Sequence, residues 1–368
     1  MEHMEHEIKV SVIIPIYNAY DYLRPAMDSV TNQTLSDIEI ICVDDGSTDR
    51  SLEIIKEYQA ADERIRIVTE NNAGAAIARN NGIRRARGEY VAFLDADDFV
   101  APTCLETLYS LAKENDLDIA IAQYDIFVEK LAKFTPAIPP ERAEIYREGK
   151  VTSKSEYPDD IFQSTDGYVW NKIFKRTFLL EKELVFLQDA RMFEDVYFVC
   201  TALSLAERVA KTQSVLFHHR VYSESARNRL FRRYYDQVPL VYAKIKEHLV
   251  THGMYLPLQS SFMNLAATRI YKIYNLLGSD EREDLFNLLH EQYAETLGWG
   301  ALAEGTLRDT AVSEFCANVA LYTYAEYARR EKRGLKVKLK NLSRRIRARI
   351  RQKNFANFFK KLFASREA

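Results

Sequence analysis

The chain has 368 residues, 47% of them hydrophobic and 12% aromatic, enough for one large or two ordinary domains around a sizeable core. Its net charge of −2 hides an uneven spread: residues 329–368 carry 16 Lys and Arg against 2 Asp and Glu, which leaves 35 basic and 51 acidic residues elsewhere. Cys42, Cys104, Cys200 and Cys316 lie far apart with no C-x-x-C pair, which argues against a disulfide framework or a zinc knuckle and for a reduced compartment.

Val10–Ile14 is an apolar, β-branched run stopped by Pro15 and predicts a buried strand. Leu23, Met27 and Val30 give Tyr20–Gln33 helical spacing. Ile38–Val43 predicts a second strand, and Asp49–Ala61 a helix with Asp49 or Ser47 as its N-cap. A strand over Ile65–Val68, a helix over Ala73–Ala86 and a strand over Tyr90–Leu94 follow, then a helix over Pro102–Lys113 and a strand over Ile119–Gln123. This alternation predicts an α/β fold with a mainly parallel sheet flanked by helices, whose ligands bind at the carboxyl ends of the strands.

Residues 125–165, with Pro136, Pro139, Pro140 and Pro158 among charges, predict a variable loop region over the sheet edge or the site. Order returns with an apolar segment opened by Trp170-Asn171-Lys172, a helix near Asp195–Glu207 and a strand near Ser214–His218. Residues 230–330 are expected to be helical, with apolar spacing in Tyr234, Val238, Val241, Ile245 and Leu249. The organisation expected is a leader over 1–7, an α/β domain over 8–225, a helical extension over 226–330 and a basic amphipathic tail over 331–368.

Each predicted strand of the first half runs into polar residues. After the first come Pro15, Tyr17 and Asn18; after the second, Asp44-Asp45-Gly46-Ser47-Thr48-Asp49; after the third, Asn71-Asn72-Ala73-Gly74 and then Arg79; after the fourth, Asp95-Ala96-Asp97-Asp98. Any one of these is good turn chemistry. Four polar endings on one sheet edge form a crevice. In the last of them, closely spaced carboxylates repel one another unless a cation sits among them, and Mn²⁺ and Mg²⁺ prefer such oxygens.

SVIIPIYN, VDDGSTD, A-x-A-R-N-x-G and GEYVAFLDADD together resemble the N-terminal half of family 2 glycosyltransferases, which have the GT-A fold; WNKIFKR and FED continue the likeness to bacterial members that build capsular or surface polysaccharides. The resemblance implies an inverting transfer of a sugar from a nucleotide-sugar donor, UDP-linked by preference, to a glycan or lipid-linked acceptor. It implies that Asp45 meets the base, that Pro15, Tyr17 and Asn18 line the nucleoside pocket and that Arg79 contacts the nucleotide. Asp95, with its neighbour Ala96, would contact the ribose or the metal's water shell. Asp97 would hold the metal that bridges the diphosphate. It implies Asp195 as the general base, with neighbouring Glu194 the alternative. In His218-His219-Arg220 a His, with His219 the metal candidate, or the Arg would reach the metal or diphosphate when a lid closes, the alternative being a pair of surface imidazoles. Trp170 and Asn171 either shape the acceptor pocket or pack.

His248 and His252 stand four apart but lack the H-E-x-x-H pattern, so they are read as surface or core residues. The tail places Leu335, Leu339, Leu342, Ile346 and Ile350 on one helical stripe among Lys and Arg, suited to an anionic membrane surface. The opening MEHMEHEIKV has no apolar h-region and no run of about 18 apolar residues follows, so a cytoplasmic, peripheral protein is expected. Nucleic acid is not an expected partner, since no recognised motif accompanies the charge. A nucleotidyltransferase would need a Gly-rich phosphate loop where Pro15-Ile16-Tyr17-Asn18 stands. A catalytically silent nucleotide-binding scaffold is the alternative from another class.

Overall fold

The computed structural model describes residues 7–222, 232–303 and 305–330. Nine strands form one sheet in the order β3-β2-β1-β4-β8-β6-β9-β5, with β7 paired to β6. The strands are β1 (Val10–Ile16), β2 (Ile38–Asp44), β3 (Ile65–Thr69), β4 (Tyr90–Phe93), β5 (Phe99–Val100), β6 (Ile119–Val128), β7 (Lys133–Pro136), β8 (Lys172–Lys175) and β9 (Val209–Val221). The first four are parallel, with Val10 opposite both Ile38 and Tyr90. The other half is mixed: β8 runs antiparallel to β4 and β6, while β6 and β9 are parallel. The expected mainly parallel sheet therefore holds for β1 to β4, and beyond them antiparallel pairs join the parallel β6–β9 pair.

Strand alternation builds two cores. Ile13, Ile41, Val91 and Phe93 face one side, while Val12, Ile14, Ile40, Cys42 and Tyr90 face the other. Helices α1 (Leu23–Thr31), α2 (Ser51–Ala61) and α4 (Cys104–Glu114) cover the second side. Helices α3 (Ala75–Arg85), α5 (Arg176–Glu181) and α6 (Glu194–Leu205) cover the first. The helical region continues that same core outward through helices Gln237–Thr251, Tyr255–Leu276, Ser279–Leu288 and Thr310–Leu321. Ser261 ties it to the preceding loops, accepting the Phe162 amide at 2.9 Å and donating to the Gln163 side chain at 2.9 Å.

Two differences from the expected elements have clear causes. Strand β1 passes through Pro15, because β4 ends at Phe93 opposite Ile13. The Ile13 carbonyl bonds toward β4 and the Ile16 carbonyl toward β2, so the alternating parallel ladder aims residue 15 at the vacated side, where a missing N–H costs nothing. Residues 125–165 are also more ordered than expected: β6 runs on to Val128 and folds back as β7, and short 3₁₀ turns follow at Ala143–Ile145 and Ile161–Gln163. The four cysteines are buried and free, as their spacing implied. The membrane-tail stripe lies outside the described residues, as does most of the loop after His218-His219-Arg220. Among the described residues no helix is long and apolar enough to cross a membrane.

Candidate active site

A cavity of about 410 Å³ opens at the carboxyl ends of β1, β2 and β4, lined among others by Pro15, Tyr17, Asn18, Asp45, Arg79, Asp95, Ala96 and Asp97, with Tyr222 closing one side. Tyr17 is 47% exposed, free to offer a ring face. Asn18, at a φ of 49°, knits two loops together: its side-chain oxygen accepts the Thr48 and Asp49 amides at 2.8 and 3.3 Å. Asp45 accepts the Ala73 and Gly74 amides at 2.6 and 2.7 Å, one on each oxygen, which fixes its carboxylate at the crevice wall. Gly46 permits this closeness, because at its φ of 75° a Cβ would stand 2.9 Å from the Asn72 nitrogen.

Arg79 is the hub. It reaches from α3 and is 4% exposed; Nη2 donates to Asp95 at 2.7 Å, while Nη1 lies 2.9 Å from both Glu194 and Asp195. One cation thus faces three carboxylates. Glu194 and Asp195 open α6, where the helix N-terminus favours negative charge. The preceding Phe193 takes a φ of 68°, a left-handed conformation rare for a bulky residue, and so turns both acids into the site. Burial, reinforced by Glu194 and Asp95 and only partly offset by Arg79, pushes the Asp195 carboxyl up to about 8. Its Oδ1 contacts Arg79 without hydrogen-bond alignment and has no hydrogen-bond partner.

The aspartate turn is held by His219 and Arg220 of the string the sequence singled out, together with Asp98, to which sequence reasoning gave no role. Asp98, 2% exposed, accepts the Arg220 amide at 2.8 Å and meets His219 Nδ1 at 3.1 Å. Among the described residues that contact leaves Nε2 of His219 without a hydrogen bond, the arrangement by which a carboxylate orients a ligating imidazole. Arg220 donates from Nε to the Asp97 carbonyl at 2.9 Å, pairs with Glu129, and lies over the rings of Phe99 and Phe127, each 5.2 Å away. Burial, then the charges of Asp98 and Asp95, push the Asp97 carboxyl up to about 6. The strings Asp97-Asp98 and His218-His219-Arg220 carried this signal, but only their pairing across β5 and β9 shows it.

These residues fit a divalent cation in one particular way. Among the described residues no group of three His, Cys, Asp or Glu side chains is arranged to hold an ion unaided. The Asp95, Asp97 and His219 set expected from the resemblance is therefore not a self-contained centre. Asp97, whose carboxyl is buried beside two other aspartates, does suit an ion that a diphosphate would share, since Mg²⁺-type sites often use one or two carboxylates plus phosphate oxygens. Trp170 is 2% exposed and stacks on His219 at 5.4 Å, and Asn171 is buried with its amide on the Ala122 carbonyl, so both pack. His248 and His252 stack on each other at 4.1 Å.

Such a crevice, polar strand ends facing acids from a later helix, is an arrangement in keeping with the GT-A fold. The "Glycosyl transferase family 2" profile matches residues 11–180. The chain is 32% identical over 262 residues to the glycosyltransferase YibD of Escherichia coli, covering 68% of this chain and 74% of YibD. It is 35% identical over 215 residues to the glycosyltransferase EpsJ of Bacillus subtilis, a match that spans 57% of this chain and 60% of EpsJ. Staphylococcus aureus TarS 1–349, solved with UDP-GlcNAc, superposes with a TM-score of 0.64 at 18% identity over 79% of this chain and 82% of that one. The chain belongs to glycosyltransferase family 2 and has its GT-A fold.

Proposed function

We propose that the protein is an inverting glycosyltransferase that moves a sugar from a nucleotide-sugar donor, a UDP-sugar first, to a glycan or lipid-linked acceptor in surface polysaccharide synthesis. One observation carries this reading: Asp95 of the β4 turn and Asp195 of α6 meet on the single guanidinium of Arg79 beside a cavity of about 410 Å³. Leaving-group side and acceptor side are thereby fixed relative to each other.

In this reading Tyr17 and Pro15 take the nucleoside and Asp45 faces its base. Mn²⁺ or Mg²⁺, held by Asp97 and Asp95 with His219 Nε2 nearby, would supply charge neutralisation for the departing diphosphate. Asp195 accepts the proton from the attacking acceptor hydroxyl. Its raised proton affinity suits a general base working near neutral pH. Displacement in a single step inverts the anomeric centre, so an α-linked donor gives a β-glycoside. Glu194, which meets Arg79 at 2.9 Å, is the alternative proton acceptor.

UDP is favoured by TarS, a fold neighbour solved with UDP and with UDP-GlcNAc. A metal is favoured by a Pyrobaculum calidifontis mannosyltransferase solved with GDP-Man and Mn²⁺, a neighbour with a TM-score of 0.51. A polymeric acceptor is favoured by 32% identity over 221 residues to a poly(ribitol-phosphate) β-glucosyltransferase of Bacillus spizizenii, covering 58% of this chain and 32% of that one. The protein would work in the cytoplasm at an anionic membrane face through its basic tail, without nucleic acid; flotation with anionic liposomes at low salt tests the tail.

The test of the whole reading is nucleotide release. Purified protein is given a panel of nucleotide sugars with Mn²⁺ and a lipid-linked glycan extract. Acceptor-dependent release from one donor, with Asp195→Asn slower by about 10²–10⁴-fold at unchanged donor binding, supports it. Near-wild-type turnover in Asp195→Asn removes Asp195 as base, and nucleotide binding with no turnover for any donor favours the silent scaffold.

A further inference from the structure

Tyr222 lines the crevice of about 410 Å³, yet no step of the proposed reaction uses it. Its hydroxyl is buried and, among the described residues, makes no hydrogen bond. A buried hydroxyl without a partner is costly, and few native groups are left so unless something further completes them. The carboxylate it faces is that of Asp97: burial and the Asp97 charge together raise the proton affinity of the phenol, which keeps its proton to donate.

The phenol is braced where it stands. Its ring packs on that of Tyr22, with centroids 4.2 Å apart. Tyr22 in turn lies under the Arg220 guanidinium at 5.8 Å. Arg220, two residues before Tyr222, donates from Nε to the Asp97 carbonyl at 2.9 Å, and its own amide is held by Asp98 at 2.8 Å. The end of β9 thus grips Asp97 by its backbone through Arg220 and sets Tyr222 against the side chain of the same residue. That side chain is buried beside two other aspartates.

A carboxylate has two oxygens. An ion that takes one leaves the other for a donor, and such a donor fixes which oxygen faces the metal. The last side-chain torsion of an aspartate is broad, so without a partner it is poorly fixed. We infer that Tyr222 is a positioning residue for the cation: its hydroxyl gives a hydrogen bond to one oxygen of Asp97 when the other oxygen binds Mn²⁺ or Mg²⁺. The inference rests on the cation proposed at Asp97 and adds the residue that orients its ligand.

Mn²⁺ titration of the full chain with UDP present, read by the electron paramagnetic resonance of free Mn²⁺, tests it, alongside thermal unfolding and UDP binding without metal. Tyr222→Phe keeps the ring on Tyr22 and removes only the hydroxyl. It should weaken Mn²⁺ binding about 10–100-fold. The metal-free unfolding midpoint and metal-free UDP affinity should stay unchanged, and raising Mn²⁺ by the same factor should restore the metal-dependent UDP response. Equal Mn²⁺ affinity in the two chains overturns the inference. So does loss of metal-free UDP binding in the variant, or a variant that unfolds without metal, since either makes the hydroxyl a structural group. If the wild type shows Mn²⁺-dependent UDP binding and the variant matches it, the role of Tyr222 alone fails. If the wild type shows none, the cation reading at Asp97 fails as well.

Discussion

Arg79 shows how much of the site hangs on one side chain. Its resemblance-based role was contact with the nucleotide; in the fold its terminal nitrogens are engaged by Asp95, Glu194 and Asp195. Arg79→Met should leave three poorly solvated carboxylates without their cation and cost about 3–5 kcal/mol in urea unfolding at neutral pH. A loss below about 1 kcal/mol would mean the three acids find other partners. Glu39 makes the opposite case at the far end of the sheet, where it is 2% exposed. Burial alone would raise its proton affinity, but donors from Ser11, the Arg87 amide, Arg66 and the Arg87 side chain outweigh it and hold the carboxyl below its usual 4.5. A depressed folded value means stability that is complete above pH 4.5 and fades as the pH falls through the folded value. The stability gap between wild type and Glu39→Gln should therefore shrink on acidification from pH 7 to pH 3; a constant gap would show that the charge is not what matters. The acids of the strand ends were legible because each follows an apolar run. The support that Asp98 gives to His219 and Arg220 was not, because it lies in the pairing of β5 with β9, over 80 residues apart in sequence.

At the level of elements, α3 is locked to β1 through a glycine. A Cβ on Gly82 would stand 2.4 Å from Cγ2 of Ile13, so the helix lies directly on the strand. Gly→Ala in an open helix gains up to about 1 kcal/mol, yet here overpacking of about 1–3 kcal/mol should win. Gly82→Ala is expected to lower the unfolding midpoint; a rise would mean that α3 can move away from β1. Strands β1 to β4, the start of β6 and their helices were readable because each is a single period of apolar residues bounded by a turn, whereas the two-residue β5 offers no period. The stretch after Gln123 was misread as loop because β6 changes character along its length. Its first four residues are buried and the rest half-buried, so no single period describes it.

Across the whole molecule, the helical region shares its core with the sheet through α6, and Ser261 bonds the loop at Phe162 and Gln163. One cooperative unfolding transition is therefore expected by calorimetry; two resolved transitions would separate residues 226–330 from the catalytic part. The sequence signalled helices there but nothing of where they dock, since amphipathic spacing names a buried face and not its partner. The central claim is that the crevice binds a nucleoside diphosphate with a cation at Asp97. Thermal unfolding of wild type and Asp97→Ala with UDP, GDP, dTDP and CMP, each with and without Mn²⁺, tests it most directly, because a ligand of the folded state must raise the midpoint. A Mn²⁺-dependent rise is expected for one nucleotide, UDP first, and its loss in Asp97→Ala. No rise with any nucleotide in a folded sample, or a rise that Asp97→Ala leaves untouched, would contradict it.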